Sequence, residues 1–556
     1  MAKKNIQDDL QHLPAVVADF IRKIIKKMRY RTKIRRDVLV ELSAHFEDEL
    51  KDCTTGQEEQ QKAQQLIAEF GDVKLLSILL RRAKKRCRPL WRTIVARSFQ
   101  AAGILFLCFV FYIIWFLSGK PTINTNYLAE LNNMVRPAAD ESLNAAPLYA
   151  EAVMRYEQLS QDDNDTSGLL SKKPGEITPE EKLLIEKWLS DNEEILDLIV
   201  AGSKLPYCWF KYKTGSDTQN EMISVGLPGL NVYRKCAYSL RWRALLRAET
   251  GRFDESLNYM KACYHFGKHF KSDITLVEQL VGLAIQSLAA NSLRNIISEY
   301  EIDSKLLADF QKDFEQIIAD QNFLINFNAE KLSGLDEIQR CFTSDGIGKG
   351  HIYLPRIKEI TTPDLDYEFV SRDGNVIQFI FDSIFMAPYL AHPNKEETLN
   401  SLNNLYGYWE QVSLKTPAQI HTEHINVSEE SRRIIESNLF LESFTPGLSK
   451  VIEFSYRIKI DIEATLTIVA LIRYKQDTGQ YPENLEQLVT DGYLTQLPID
   501  PFSDEPLAYR QTDDDFLLYS YGINCIDDGG QRAYDRRGNV VIWSDEADAV
   551  FWPVQQ

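Results

Sequence analysis

The longest uninterrupted apolar run in the chain lies between Ser98 and Gly119. Its 22 residues contain no charged side chain, and at about 1.5 Å of helical rise per residue they span the ~30 Å hydrocarbon core of a bilayer. The alternative is a buried helix of a soluble core, but such helices rarely run so far without a charge. The run also begins too late to be a cleaved signal peptide. The sequence therefore predicts one transmembrane helix over residues 98–119.

Basic residues are concentrated on the N-terminal side of this run. Eight Lys and Arg residues lie in positions 81–97, whereas only Lys120 and Arg136 follow closely. Positive charge favours the cytoplasmic side of a transmembrane helix, and it also attracts anionic lipid headgroups of the bilayer. We therefore expect a single-pass protein of the inner (cytoplasmic) membrane, with a cytoplasmic N-terminus and a periplasmic or extracytoplasmic C-terminal part.

The residues before the span have the spacing of amphipathic helices. Apolar side chains recur every four positions and form one stripe, which consists of Val38, Leu42, Phe46 and Leu50. The sequence predicts a tail over 1–20 and a cytoplasmic helical module over 21–95. A second set of residues in this module forms a pattern of its own, and its members are Arg36, Glu41, His45, Phe46, Glu47, Asp48, Phe70, Gly71 and Asp72.

This pattern resembles the HAAS/permease-prefix family over about residues 21–90. The resemblance implies a small helical module that contacts partner regulators in signalling, without catalytic activity. For His45 and the acidic run Glu47–Glu49, a solvated helix face remains the alternative interpretation.

Residues 120–450 have mainly helical patterns and predict an exported α-helical body. Thr178 and Glu181 form a capping box before an apolar run. The segment 243–270 resembles one tetratricopeptide-like helical hairpin. In that hairpin Gly251 and Phe253 would lie at the turn, with Ala248 and Leu257 packed across it. No second copy is evident at the expected period, so a repeat-like (solenoid-like) body is an expectation from the successive amphipathic helices.

The pattern changes at Val451, where a long helix is followed by short strand-like segments. PLAYR, DFLLYSYG and NVVIWS, separated by Pro, Gly and Asp, predict a small antiparallel sheet and hence an α+β domain over 451–556. The fold class expected for the whole chain is mainly α. The C-terminal pattern is carried by Tyr474, Gly479, Tyr481, Pro482, Leu485, Leu488, Leu494, Leu497, Pro498, Asp500, Pro501, Phe502, Tyr509, Phe516, Tyr519, Ser520 and Gly522.

That C-terminal pattern resembles the G-type pseudopilin of type II secretion. A pseudopilin begins with its hydrophobic helix, whereas the equivalent helix here is internal and carries charged residues. They include Arg457, Lys459, Asp461 and Glu463. We therefore expect a pseudopilin-like domain that does not polymerise as an ordinary pilin subunit.

The stretch GINCIDDGGQ, residues 522–531, is the best candidate for a site. Paired acids beside glycines indicate either a turn between strands or hard oxygen ligands for a cation. The pseudopilin resemblance implies a structural Ca²⁺ site, although asparagine at the first position lowers the ligand charge. The metal ligands that it implies are Asn524, Asp527, Asp528, Asp545 and Asp548. The spacing does not fit an EF-hand.

Other chemistry is weakly indicated. His265/His269 and His421/His424 lack the glutamate of a zinc-protease motif and predict surface or packing roles. GIGKG at 346–350 predicts a flexible loop, and scattered cysteines predict buried apolar roles. The first 100 residues have a net charge of +9 within a total of -17. The remaining acidic part is therefore not expected to bind nucleic acid.

The function expected from these features is a non-enzymatic, membrane-anchored interaction scaffold of the bacterial envelope. Protein partners are expected on both sides of the membrane, with a link to type II secretion-like machinery as one option. No catalytic residue is assigned. Two alternatives remain open: a transmembrane signal relay through the HAAS-like module, and an envelope hydrolase that uses acids of the exported body.

Overall fold

The computed structural model describes ten segments of the chain. They are residues 10–86, 90–159, 168–214, 220–226, 229–270, 275–319, 321–344, 349–361, 387–444 and 449–554. The predicted loop at 160–168, except its last residue, lies outside them, as do Cys87 and most of GIGKG. The protein is mainly helical, with a small antiparallel sheet region near the C-terminus. It divides into two compact units, Met1–Trp115 and Phe116–Gln556.

The described part of the first unit contains five helices and an apolar core. An aromatic cluster of Phe20, Phe46 and Phe70 joins the first three helices, with ring centroids 5.2–6.2 Å apart. Gly71 ends the third helix at φ 74°, a conformation that favours glycine. Asp72 then caps the next helix by accepting the Lys74 amide. The helices are α1 (Ala15–Lys27), α2 (Thr32–Leu50), α3 (Gly56–Phe70), α4 (Val73–Arg86) and α5 (Leu90–Phe116).

Helix α5 contains the predicted membrane span. Its segment Ile94–Phe116 has a mean hydropathy of 2.2 and is long and apolar enough to cross a membrane. Only 6% of its most apolar window is buried within the chain, whereas the core helix of a soluble protein is mostly buried. The helix ends at Phe116 instead of Gly119. Phe116 belongs to the second unit, where its ring stacks on His351 at 5.0 Å.

The described part of the second unit contains sixteen helices, of which the longest is Ser449–Thr478. In chain order they are α6 (Tyr127–Val135), α7 (Ala146–Leu159), α8 (Pro179–Asp191), α9 (Glu193–Ser203), α10 (Leu230–Glu249), α11 (Phe253–His269), α12 (Leu276–Glu299), α13 (Ser304–Ala319), α14 (Asn328–Cys341), α15 (Leu354–Thr361), α16 (Lys395–Ser413), α17 (Pro417–Thr422), α18 (Val427–Ile434), α19 (Leu439–Phe444), α20 (Ser449–Thr478) and α21 (Glu486–Thr490).

The predicted hairpin is formed by α10 and α11. Gly251 takes φ 74° at the turn, and Ala248 and Leu257 are both buried across it. Helix α12 then packs on α11 through Gly267 and Gly282. A Cβ on Gly267 would lie 2.7 Å from the Gly282 carbonyl oxygen, so the two backbones approach at a distance that only glycine allows.

Helix α20 is the central element of the second unit. No residue between Val451 and Lys475 is exposed, because α12, α13 and the strands Phe516–Ser520 and Ala549–Trp552 pack on the helix. The proposed domain boundary at residue 451 therefore falls inside a helix that belongs to the cores of both the body and the tail.

The C-terminal sheet has the strand order β3–β4–β7, all antiparallel. PLAYR and DFLLYSYG supply β3 and β4, as predicted. NVVIWS supplies β6, which pairs with β5 in a separate two-stranded hairpin instead of joining the sheet. The third strand of the sheet is the fully buried β7, which the sequence did not predict. The strands are β1 (Ile499–Asp500), β2 (Glu505–Pro506), β3 (Ala508–Gln511), β4 (Phe516–Ser520), β5 (Ala533–Tyr534), β6 (Val540–Val541) and β7 (Ala549–Trp552).

Candidate functional site

The GINCIDDGGQ loop begins at the end of β4, where Asp500 holds it. The buried carboxylate of Asp500 accepts the Ser520 hydroxyl at 2.8 Å and the Tyr521 amide at 3.0 Å. It also accepts the Phe502 amide within its own turn. Burial raises the pKa of Asp500. This residue therefore joins the LPIDPF turn to the start of the loop, a role that the motif alone did not reveal.

Asp548 holds the other end of the loop. Its side chain is buried, and its two oxygens accept the amides of Asp528 at 3.3 Å and Gly530 at 2.7 Å. Burial, together with the negative charges of Asp528 and Asp527, raises the pKa of Asp548. Hydrogen bonds to the Asp548 carboxylate thus hold the loop, although Asp527 and Asp528 repel the negative charge of that carboxylate.

The structure brings four of the five predicted ligands together. Asn524 donates to the Asp528 carboxylate at 2.9 Å and accepts the Ile526 amide. Asp527 accepts the Gly529 amide and the Tyr519 hydroxyl, each at 2.9 Å. These hydrogen bonds are those of a capped turn.

The fifth predicted ligand, Asp545, lies apart from this cluster. It is exposed and lines a groove beside Trp543. Within the described segments, no group of three or more His, Cys, Asp or Glu side chains is placed to hold a metal ion. The loop is therefore a hydrogen-bonded turn, in which the side-chain oxygens of Asn524, Asp527, Asp528 and Asp548 accept hydrogen bonds from within the tail.

A groove separates the helical body from the tail loops and has a volume of about 830 Å³. We call it the α12–tail groove. One wall is the outer face of α12, including Val281 and Ala284, and the opposite wall includes Trp543. The guanidinium of Arg457 lies 5.6 Å from the centre of the Trp543 ring. The lining is mainly apolar, with three basic side chains (Arg234, Lys450 and Arg457) and two acidic ones (Glu453 and Asp545).

A second cavity, of about 550 Å³, lies on the other side of the α20 N-terminus. Lys450, Glu453 and Ile523 line both cavities. His421 and His424 lie on the rim of the second cavity and are exposed, as the surface prediction stated. The opening residues of the GINCIDDGGQ loop therefore separate two recesses at the junction between body and tail.

A buried ion pair joins the body to α20 beneath this junction. Arg294 of α12 donates to the Asp461 carboxylate at 2.6 Å and to the Asp461 carbonyl at 3.0 Å. The two side chains are only 3% and 2% exposed. Ser287 donates to the other carboxylate oxygen, and the Arg294 guanidinium lies over the Phe551 ring of β7. Asp461, one of the charged residues of α20, therefore has a structural partner in the body.

His269 is a buried packing residue, as predicted for its pair. Its Nδ1 faces the Tyr149 hydroxyl at 2.7 Å and its Nε2 faces the Leu205 carbonyl at 3.0 Å. Because a carbonyl only accepts, Nε2 carries the proton and Nδ1 accepts from the tyrosine. Burial lowers the pKa of His269 to about 3, which keeps the ring neutral.

The cysteine prediction is confirmed for four of the seven described residues. Cys208, Cys236, Cys263 and Cys341 are buried free thiols. Burial raises the pKa of Cys236 and Cys263 to about 12, so neither is a thiolate at neutral pH.

Buried Glu278 and partly buried Glu330 lie near the start of α12 and form a candidate acid pair. Glu278 accepts the Tyr212 hydroxyl and the Thr275 hydroxyl, each at 2.6 Å. Glu330 accepts the Leu276 amide, while its enclosed Oε2 has no hydrogen-bond partner among the described residues. Burial raises the pKa of both, and that of Glu330 to about 7. Neither residue lines the two cavities described above, so their position does not favour a hydrolase.

Glu330 predicts a pH-dependent stability. Its folded-state pKa lies above the ordinary value of 4.5, so its stabilising effect is complete below about pH 4.5 and is lost as pH rises through 7. Glutamine is a neutral mimic of the protonated side chain, so the free energy of unfolding of Glu330→Gln should fall less between pH 5 and pH 8 than that of wild type. We expect the two decreases to differ by on the order of 2 kcal/mol. Chemical denaturation in detergent at both pH values measures it. Exposed Glu186→Gln is the matched control, and an unchanged difference in Glu330→Gln would contradict the assignment.

Comparisons with protein-family models, with curated proteins and with solved structures found no match for this chain. The resemblances to the HAAS/permease-prefix family and to the G-type pseudopilin therefore rest on the residues named above and remain predictions.

Proposed function

We propose that this protein is a single-pass, membrane-anchored interaction scaffold of the bacterial envelope. The α12–tail groove carries the proposal, because it is a mainly apolar recess of about 830 Å³ built from two parts of the second unit. Apolar grooves with a few polar groups at fixed positions are typical binding sites. The partner that fits is an apolar protein segment with an acidic flank, since the basic side chains in the lining outnumber the acidic ones.

The packing of α20 supports a scaffold over a filament subunit. A pilin-type helix needs an apolar face free to pack against neighbouring subunits, whereas every residue of α20 between Val451 and Lys475 is covered or partly covered within this chain. Asp461 is also held by Arg294. A link to type II secretion-like machinery would then be through binding, with the tail presenting the groove.

Blocking the groove tests the proposal. Ala284 is exposed on α12 inside the groove, so Ala284→Trp should fill the recess while leaving the core of α12 unchanged. In quantitative affinity purification from membranes, we expect the amount of at least one partner to fall about tenfold or more relative to wild type. A tenfold decrease corresponds to a loss of about 1.4 kcal/mol of binding free energy.

The matched control is Ala201→Trp, at an exposed helical alanine outside the groove lining. It should retain the partners of the wild type. If Ala284→Trp keeps the same partners in the same amounts, the groove is not the binding site.

A structural calcium ion is a second, separate proposal for the tail. It is supported by the hydrogen bonds that link Asn524 to Asp528 and the Asp528 amide to Asp548, and by the burial and the neighbouring charges of Asp528 and Asp527, which raise the pKa of Asp548. A bound cation would supply positive charge to this loop. We expect Ca²⁺ to raise the thermal unfolding midpoint of wild type, as ligands of the folded state do, and to have no effect on Asp527→Asn/Asp548→Asn. If chelator and Ca²⁺ give the same midpoint in wild type, the loop is only a turn.

Hydrogen bonds between the body and the segment after α5 favour a signal relay. Gln339 of α14 accepts the amides of Asn124 and Thr125 and donates to the Thr125 carbonyl at 2.8 Å. Thr122 also contacts the Ser344 hydroxyl at 2.6 Å. The body is therefore hydrogen-bonded to the residues that directly follow the span, which a relay through the HAAS-like module requires. Loss of cytoplasmic partners on deleting the tail would favour the relay over a passive scaffold.

A further inference from the structure

Helix α4 has two apolar faces. One of them, formed by Val73, Leu76 and Leu80, packs against the core of the first unit. The opposite face consists of Leu75, Ile78 and Leu79, which are 58%, 41% and 50% exposed. At 100° per residue these three side chains lie within about 100° of one another around the helix. We call them the outer face of α4.

The outer face is bordered by positive charge. The fourteen residues of α4 include six Lys and Arg residues and no acid. Lys84 pairs with Glu41 of α2, whereas Arg81, Arg82 and Lys85 are exposed. Arg82 lies seven positions after Leu75 and therefore continues the same stripe towards the helix C-terminus.

The chain holds this face close to the membrane span. Three residues separate Arg86 from the start of α5, and the apolar span begins at Ile94. A fully extended connection plus the first turn of α5 allows about 20 Å between the end of α4 and the start of the span. Helix α4 therefore cannot move far from the bilayer surface once α5 is inserted.

We propose that the outer face of α4 docks on the surface of an anionic bilayer, beside the point where α5 enters it. Leu75, Ile78 and Leu79 would enter the boundary between headgroups and acyl chains, and the exposed basic residues would contact phosphate headgroups. This is the arrangement of an interfacial amphipathic helix. The inference rests on the proposed membrane anchor and adds a second, peripheral contact to it.

The bilayer fits this face better than a protein partner for two reasons. The charge of α4 is of one sign, as an anionic surface requires, and is not the mixed pattern of a typical protein interface rim. The short connection to α5 also keeps α4 beside the bilayer at all times, whereas a protein partner must be recruited from solution.

Lipid photolabelling of the full-length protein tests this docking. The protein is reconstituted in nanodiscs of phosphatidylglycerol and phosphatidylcholine, or of phosphatidylcholine alone, with a trace phospholipid that carries a diazirine in its upper acyl chain. Adducts are mapped by mass spectrometry. We expect adducts on α5 in all discs, and adducts on residues 75–82 in the anionic discs that are lost in Leu75→Ser/Ile78→Ser/Leu79→Ser. The matched control Val16→Ser, at an exposed valine of α1, should keep them.

A second variant guards against misfolding of the first. Arg81→Gln/Arg82→Gln/Lys85→Gln changes no apolar side chain and should abolish the preference of α4 for anionic discs while the α5 adducts persist. Adducts on α5 without adducts on α4 in anionic discs would overturn the docking and leave the anchor standing. Protection of α4 by a co-purifying protein without lipid adducts would also overturn it. An absence of adducts on α5 would refute the anchor itself.

Discussion

Replacing Asp461 by alanine is expected to lower the free energy of unfolding of the second unit by about 3–5 kcal/mol. The substitution leaves the guanidinium of Arg294 buried, at 3% exposure, without its carboxylate partner. It also removes the acceptor of the Ser287 hydroxyl. Because the pair joins α12 to α20, the loss should destabilise the body and the tail together.

Chemical denaturation of the detergent-solubilised protein measures this effect, and two further variants make it specific. Asp313→Ala removes the partner of Lys261 from a position that is 55% exposed, and it should cost at most about 1 kcal/mol. Arg294→Met/Asp461→Leu removes both charges and should recover much of the stability. A loss below about 1 kcal/mol in Asp461→Ala would mean that the pair does not hold the two parts together.

Two arginines in the span should prevent stable membrane insertion. Leu105 and Phe109 lie near the middle of Ile94–Phe116 and are 70% and 54% exposed. Each arginine at the centre of a transmembrane helix costs about 2.5–3.5 kcal/mol, so Leu105→Arg/Phe109→Arg adds about 5–7 kcal/mol to insertion. Carbonate extraction of membranes measures the fraction that remains inserted.

The control for this pair keeps the span apolar. Leu105→Val/Phe109→Leu should remain in the carbonate-resistant fraction with the wild type. If the double-arginine variant also remains there, α5 is not what anchors the protein.

The parts of the fold that the sequence predicted depend on neighbouring residues. The span follows from an uncharged run, the α10–α11 hairpin from Gly251 between two periodic segments, and β3 and β4 from short strands bounded by turn residues. Each of these signals is complete within about twenty residues, so one sequence suffices to detect it.

Features missed by the sequence analysis depend on distant residues. Strand β7 pairs with β4, about thirty residues earlier, and its four residues are all buried without the alternation that marks a half-exposed strand. Arg294 and Asp461 are 167 positions apart. The α12–tail groove is likewise formed where α12 meets loops of the tail. No local sequence pattern predicts such a junction.

The candidate site shows the same division. The GINCIDDGGQ loop is hydrogen-bonded to Asp548, and strand β4, which precedes the loop, pairs with β7. Asp545 lies only three positions before Asp548 in the sequence, yet it lines the α12–tail groove. A local motif can therefore indicate a loop, whereas the direction of each side chain depends on how the neighbouring strands pair.

The proposed single-pass anchor requires that α5 crosses the membrane. Protease protection in cells whose outer barrier has been opened, with one epitope tag at each terminus, tests it most directly. We expect the second unit to be digested and the first unit to remain as a protected fragment that includes α5, in keeping with the excess of basic residues before the span. Equal digestion or equal protection of both tags would contradict a single-pass anchor.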